Sequence, residues 1–188
     1  MILSKSQIDL VNIALDEARL LDVVCQLEED KVSVIVEKLF TQTNDYSLIE
    51  GDILVLKGIS EIKVSIRNGW WNKRNAKVDK LNLSELSSIV KSYGGEQMYS
   101  DKFINREDDT YHQWVWENKL SLHRKIREQA SLHHITLFQE GSAINKWFEI
   151  RIWFDKLELY DSTLEKIGVE EFSRKEYDFW DKFYAQKR

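Results

Sequence analysis

The chain has 188 residues, 43% of them apolar and 31% charged, a net charge of −5, seven Trp, one Cys and no Pro. These figures exclude a disordered chain, an intramolecular disulfide framework and polyproline linkers, and they weigh against a polyanion-binding protein. With neither a signal-peptide pattern nor an uncharged apolar run of spanning length, a cytoplasmic protein is expected.

Residues 6–20 satisfy two patterns: Ile8, Val11 and Leu15 suit a helix, while Ile13 and Leu15 also suit a strand. Val23, Cys25 and Leu27 then alternate as a strand, with Cys25 read as a buried structural thiol. After the polar bend Glu28-Glu29-Asp30, Val32, Val34 and Val36 alternate again. Ile53 to Leu56 is a continuous apolar run, which predicts a strand covered on both sides. Ile62, Val64 and Ile66 share one strand face, opposite Glu61, Lys63, Ser65 and Arg67, and Asn68-Gly69 predicts a tight type I′ hairpin.

Asn82 and Glu85 form a capping box, with Leu81 and Leu86 placed as its hydrophobic staple, so a helix is expected over 82–93 with Gly94 as its stop. Tyr111, Val115, Leu122 and Ile126 share a helical face, which predicts helix over 108–130 as one piece or two. A hairpin follows, from the strand Ile135-Thr136-Leu137-Phe138 through a turn near Gly141 into residues 147–154. The closing segment, 172–187, carries a second capping box (Ser173, Glu176) and a helical stripe of Tyr177, Trp180, Phe183 and Tyr184. The expected fold is α+β: a mainly antiparallel sheet with three packed α-helices. It forms a single compact domain over 1–188, or two β-rich lobes (1–80 and 131–188) joined by a helical segment.

The strand at 147–154 is the most informative stretch for function. Alternation puts Phe148, Ile150, Ile152 and Phe154 on one wholly apolar face, which must be buried. Trp147, Glu149, Arg151 and Trp153 make the other, a mixture of the residue types that dominate binding hot spots. That face is the partner-binding candidate; the competing reading is that another layer covers it. A second candidate, for nucleic acid, is the basic aromatic segment 63–80 with Trp70, Trp71, Lys73, Arg74 and Lys77.

His112, His123 and His134 are spaced by eleven residues, which on one helix separates neighbours by about 16 Å, too far to share an ion. The acidic clusters 28–30, 107–109 and 170–171 read as solvated turns and helix starts. No phosphate loop, nucleophile elbow or cofactor motif is present, so no catalytic residue, cofactor or metal site is assigned.

Asp16-Glu17-Ala18-Arg19-Leu20-Leu21, a polar bend, a valine-rich strand and then Leu54-Val55-Leu56-Lys57-Gly58-Ile59-Ser60-Glu61-Ile62 resemble the small β-rich immunity proteins encoded beside bacterial polymorphic toxins. The resemblance covers residues 14–67. It implies a non-enzymatic cytosolic protein that binds one toxin tightly and blocks it. Many such toxin domains are basic nucleases, towards which an acidic inhibitor would be steered. The alternatives are a nucleic-acid-binding accessory acting through 63–80, or an enzyme without recognisable motifs.

Overall fold

The computed structural model describes residues 3–16, 18–37, 51–69, 75–93, 98, 102–141 and 146–174. Helix α1 (Lys5–Leu15) opens on a capping box of Ser4 and Gln7 and buries Ile8, Val11, Ala14 and Leu15. Strands β1 (Arg19–Gln26) and β2 (Lys31–Glu37) are joined by a 3-10 turn at Leu27–Glu29 and by Asp30, whose φ is +51°. The ambiguous stretch 6–20 resolves in favour of the helix: Ile13 and Leu15, which also suited a strand, are helical, and the strand starts only at Arg19. Next come β3 (Asp52–Lys57) and β4 (Glu61–Asn68). A 3-10 turn at Leu83–Glu85 leads into α2 (Leu86–Ser92), and the Asn82 N–H donates to Glu85 Oε2 at 2.7 Å in the expected capping box. The remaining strands are β5 (Lys102–Asn105), β6 (Leu122–Lys125), β7 (His133–Gly141), β8 (Lys146–Phe154), β9 (Lys156–Tyr160) and β10 (Lys166–Ile167), and residues 169–174 are helical.

The strands form two five-stranded antiparallel sheets, sheet A in the order β1-β2-β3-β9-β10 and sheet B in the order β5-β7-β8-β4-β6. The sheets thus interleave the two ends of the chain. β3 and β4 are consecutive yet lie in different sheets, as do β8 and β9, and the two crossings sit side by side. Lys57 pairs with Lys156 in sheet A and Glu61 with Trp153 in sheet B. Three residues on one strand therefore oppose two on the other. That one-residue bulge is the usual device by which strands turn a corner between sheets.

Gly58 occupies the bulge with φ +70°. A Cβ there would lie 2.8 Å from Asp155 Oδ2. The corner is tied by Asp155 N–H to Lys57 O (2.9 Å), Ser60 N–H to Trp153 O (3.0 Å) and Arg127 Nη2 to Asp155 Oδ2 (2.8 Å). One contiguous core draws on both sheets and the helices: Val34, Leu54 and Leu56 from sheet A, Ile62, Val64, Ile150 and Ile152 from sheet B, Val11 and Leu15 from α1, and Phe172 from the helical turns at 169–174.

Four sequence expectations need correction. Residues 108–130 are not helical: they run through successive turns into the edge strand β6. Asp108 Oδ1 accepts from the N–H and the hydroxyl of Thr110, which fixes a local turn in competition with helix. Asn68-Gly69 does not close a two-residue hairpin. Arg67 bridges Val78 and Asn68 N–H reaches Lys77 O, so the loop is longer. Ser173 caps no helix, because Phe172 N–H already donates to Gly168 O and the helical turns start at 169. Finally, β3 is covered on one side only: Leu54 and Leu56 are fully buried, while Ile53 and Val55 are half-buried on the opposite face. Gly94, Glu176, Tyr177, Trp180, Phe183 and Tyr184 lie outside the described residues.

Candidate functional site

The apolar face of β8 is in the core, with Phe148, Ile150, Ile152 and Phe154 at most 1% exposed. Its other face is not open. Trp147, Glu149, Arg151 and Trp153 are all buried. Residues 106–121, here called the strap, lie over Glu149, Arg151 and Trp153, while Trp147 stacks on Phe138 of β7. Cations and indoles interleave between strap and sheet. Trp114 Nε1 donates to Glu149 Oε1, and the Arg151 guanidinium lies 5.2 Å from the Trp114 ring. Arg151 also donates to Thr136 Oγ1 at 3.0 Å and to the strap carbonyl of Gln113 at 2.8 Å. Arg67 stacks on Trp116 at 3.7 Å and faces Glu149 at 3.6 Å. Lys63 joins Glu61 (3.3 Å) and Glu117 (3.1 Å) and sits over Trp153.

Burial sets the electrostatics of this layer. It pushes Arg67 down to about 10 and lowers Arg151, in both cases against the pull of Glu149. It raises Glu149, against the Trp114 hydrogen bond and the two arginines. The face expected to meet a partner is therefore occupied by the chain's own strap. What remains open there is a pocket of about 130 Å³ at one end, lined by Lys63, Arg151 and Trp153 from the sheet and Trp114 and Glu117 from the strap.

Sheet A offers the larger open surface. Its register aligns Val24, Ser33, Val55 and Glu158 across four strands, with Ile35, Ile53 and Tyr160 in the next row. All of these are half-buried on the face opposite the core. The centre is apolar and the rim is charged. Glu158 accepts from Lys57 (2.6 Å), Lys166 (3.1 Å) and the Tyr160 hydroxyl (3.1 Å); the lysine bonds hold its carboxyl down at about 2. A groove of about 420 Å³ runs over Ile53 and Val55 to Leu164.

Leu164 is 69% exposed and has φ +66°, a region a leucine rarely adopts. Asp161 imposes it. Asp161 Oδ1 accepts from Thr163 N–H, Thr163 Oγ1 and Glu165 N–H, while Asp161 O accepts from Leu164 N–H. The tight β9–β10 turn thus spends strain to hold an apolar side chain in solvent beside an apolar groove.

Of the basic aromatic segment, Trp70, Trp71, Lys73 and Arg74 lie outside the described residues. Lys77 is exposed, whereas Lys63 and Arg67 turn inward under the strap. The histidines do not converge. His112 is on the strap, His123 bonds Glu61 at 2.6 Å, and His133 and His134 are buried. Among the described residues no three metal-ligating side chains cluster. Cys25 is half-buried, and burial pushes its thiol up to about 12, which leaves it unreactive. No described helix is long and apolar enough to cross a membrane.

No family model matches the chain, and no curated protein is significantly similar to it. The sheet A surface was missed in the sequence because Ile53-Leu54-Val55-Leu56 is apolar at every position and hides which face is open. The available signal was Asp161-Ser162-Thr163-Leu164, a turn sequence with leucine where glycine or asparagine would relieve the backbone.

Proposed function

We propose that the protein is a non-enzymatic protein-binding inhibitor of the immunity kind, and that it docks its target on the open face of sheet A. The observation that carries this reading is Leu164: an exposed apolar side chain in a strained backbone conformation, beside an apolar groove with a paired, charged rim. Strain of this sort persists where function uses it. An apolar centre within a polar rim is the usual anatomy of a protein interface. The resemblance at 14–67 supports the same class, since β2 and β3 supply half of that surface. A net charge of −5 favours a basic target. The site on β8 expected from the sequence is not part of this proposal, because the strap occupies it. Nothing in the described residues favours the nucleic-acid reading.

The test is affinity purification of tagged wild type, Leu164→Asp and Val55→Glu from native lysate, with nuclease present, read by mass spectrometry. The expected result is one protein captured near equal stoichiometry by wild type and lost in both variants. Capture of the same protein by all three would move the interface off sheet A.

A further inference from the structure

The pocket at the end of the strap has a chemistry of its own. Its two cations, Lys63 and Arg151, are 9% and 6% exposed. Arg151 uses Nε on Thr136 and Nη1 on the Gln113 carbonyl, and among the described residues Nη2 has no partner. Arg151 also lines the pocket. Lys63 holds two carboxylates of unequal standing. Glu61 is mostly buried and also bonds His123 at 2.6 Å. Glu117 has a side chain 59% exposed and, among the described residues, an ion pair to Lys63 alone, although its charge also reaches Arg151.

With Glu117 in place, two cations and two carboxylates line the pocket and their charges cancel. With Glu117 swung into solvent, one net positive charge remains, between the Trp114 and Trp153 rings. The volume of about 130 Å³ equals about four waters, room for a carboxyl group on a short stem.

We infer that this pocket is a carboxylate-binding site and that Glu117 is its built-in placeholder. The incoming carboxylate takes Glu117's position on Lys63 and adds a bond from Arg151 Nη2. The carboxylate belongs either to a free small acid or to an acidic side chain of a bound protein. The site is separate from the sheet A face.

The experiment titrates the full chain with acetate at constant ionic strength, reads tryptophan fluorescence, and uses acetamide as the uncharged control. A second arm replaces acetate by a glycine-flanked aspartate peptide with blocked ends. Wild type is expected to respond saturably to acetate and not to acetamide. Glu117→Gln, at an exposed position that leaves the fold intact, binds about tenfold tighter, the scale of one charge-assisted hydrogen bond. Lys63→Met loses the response, and Leu164→Asp keeps it, which separates this site from the proposed docking face. A peptide that binds more tightly than acetate assigns the site to a protein side chain; acetate binding without peptide binding assigns it to a free acid. No saturable difference between acetate and acetamide, or equal affinity in wild type and Glu117→Gln, overturns the inference.

Discussion

Arg67 is 1% exposed, and among the described residues none of its guanidinium nitrogens has a hydrogen-bond partner. Its charge rests on the Trp116 face and on Glu149 at 3.6 Å. A buried charge that loses its partner costs about 3 kcal/mol or more. Glu149→Gln keeps an acceptor for Trp114 but removes that partner, so urea unfolding at pH 7 should show a loss of about 3 kcal/mol. Arg67→Met in the same background should recover most of it. Acid acts through two other buried groups. Burial pushes His133 down to about 4 and His134 down to about 3. Both are neutral in folded and unfolded chains above pH 6.5. Below it the unfolded chain takes up protons that the folded one refuses, so stability falls from about pH 6.5 towards about 4, by roughly 1 kcal/mol per pH unit for each histidine. Melts at pH 7 and pH 5 should converge for His134→Leu relative to wild type. At this scale the sequence was partly legible. The inward set Phe148, Ile150, Ile152 and Phe154 follows from alternation alone. That Glu149 and Arg151 are buried does not, because their cover comes from residues more than thirty positions away.

The strap is the element that local pattern misassigned. Its helical spacing is real, yet Trp114 and Trp116 both turn to the sheet, where Arg151 and Arg67 wait for their rings. Tertiary contacts of this kind override a weak helical preference. Val115, between them, is left 88% exposed. Trp116→Ala should therefore raise amide hydrogen exchange across the described strap while leaving β7 and β8 protected, because the strap's contacts are local to one face. Exchange raised equally in β8 would show that the strap and sheet unfold together. The sheet corner was equally illegible, since Leu56-Lys57-Gly58-Ile59-Ser60 reads as two strands with a turn and not as one ribbon bent between sheets. Gly58→Ala meets both the positive φ and the contact with Asp155, and should cost about 2–3 kcal/mol in thermal or urea unfolding.

Over the whole molecule, two sheets share one core and differ in what covers their outer faces. Sheet B carries the strap, which covers its polar face with a layer of charges and rings and leaves a pocket at its end. Sheet A keeps an apolar centre open, with Leu164 at its margin. The α+β class, the capped helix near 82–93 and the 135–154 hairpin were all readable from periodicity and capping. Which sheet face stays open was not, because it depends on which distant segment lies down where. The open face makes a trade between stability and binding. Glycine adopts φ +66° freely, so Leu164→Gly should stabilise the fold by about 1 kcal/mol while deleting the side chain offered to a partner. The direct measurement is the affinity of wild type and Leu164→Gly for the protein captured on the wild-type chain, by titration calorimetry, beside their melting temperatures. The expected result is a melting temperature at or above wild type and binding weakened at least tenfold, the scale of a buried leucine side chain. Equal affinity in the two proteins would contradict the assignment of sheet A as the docking face.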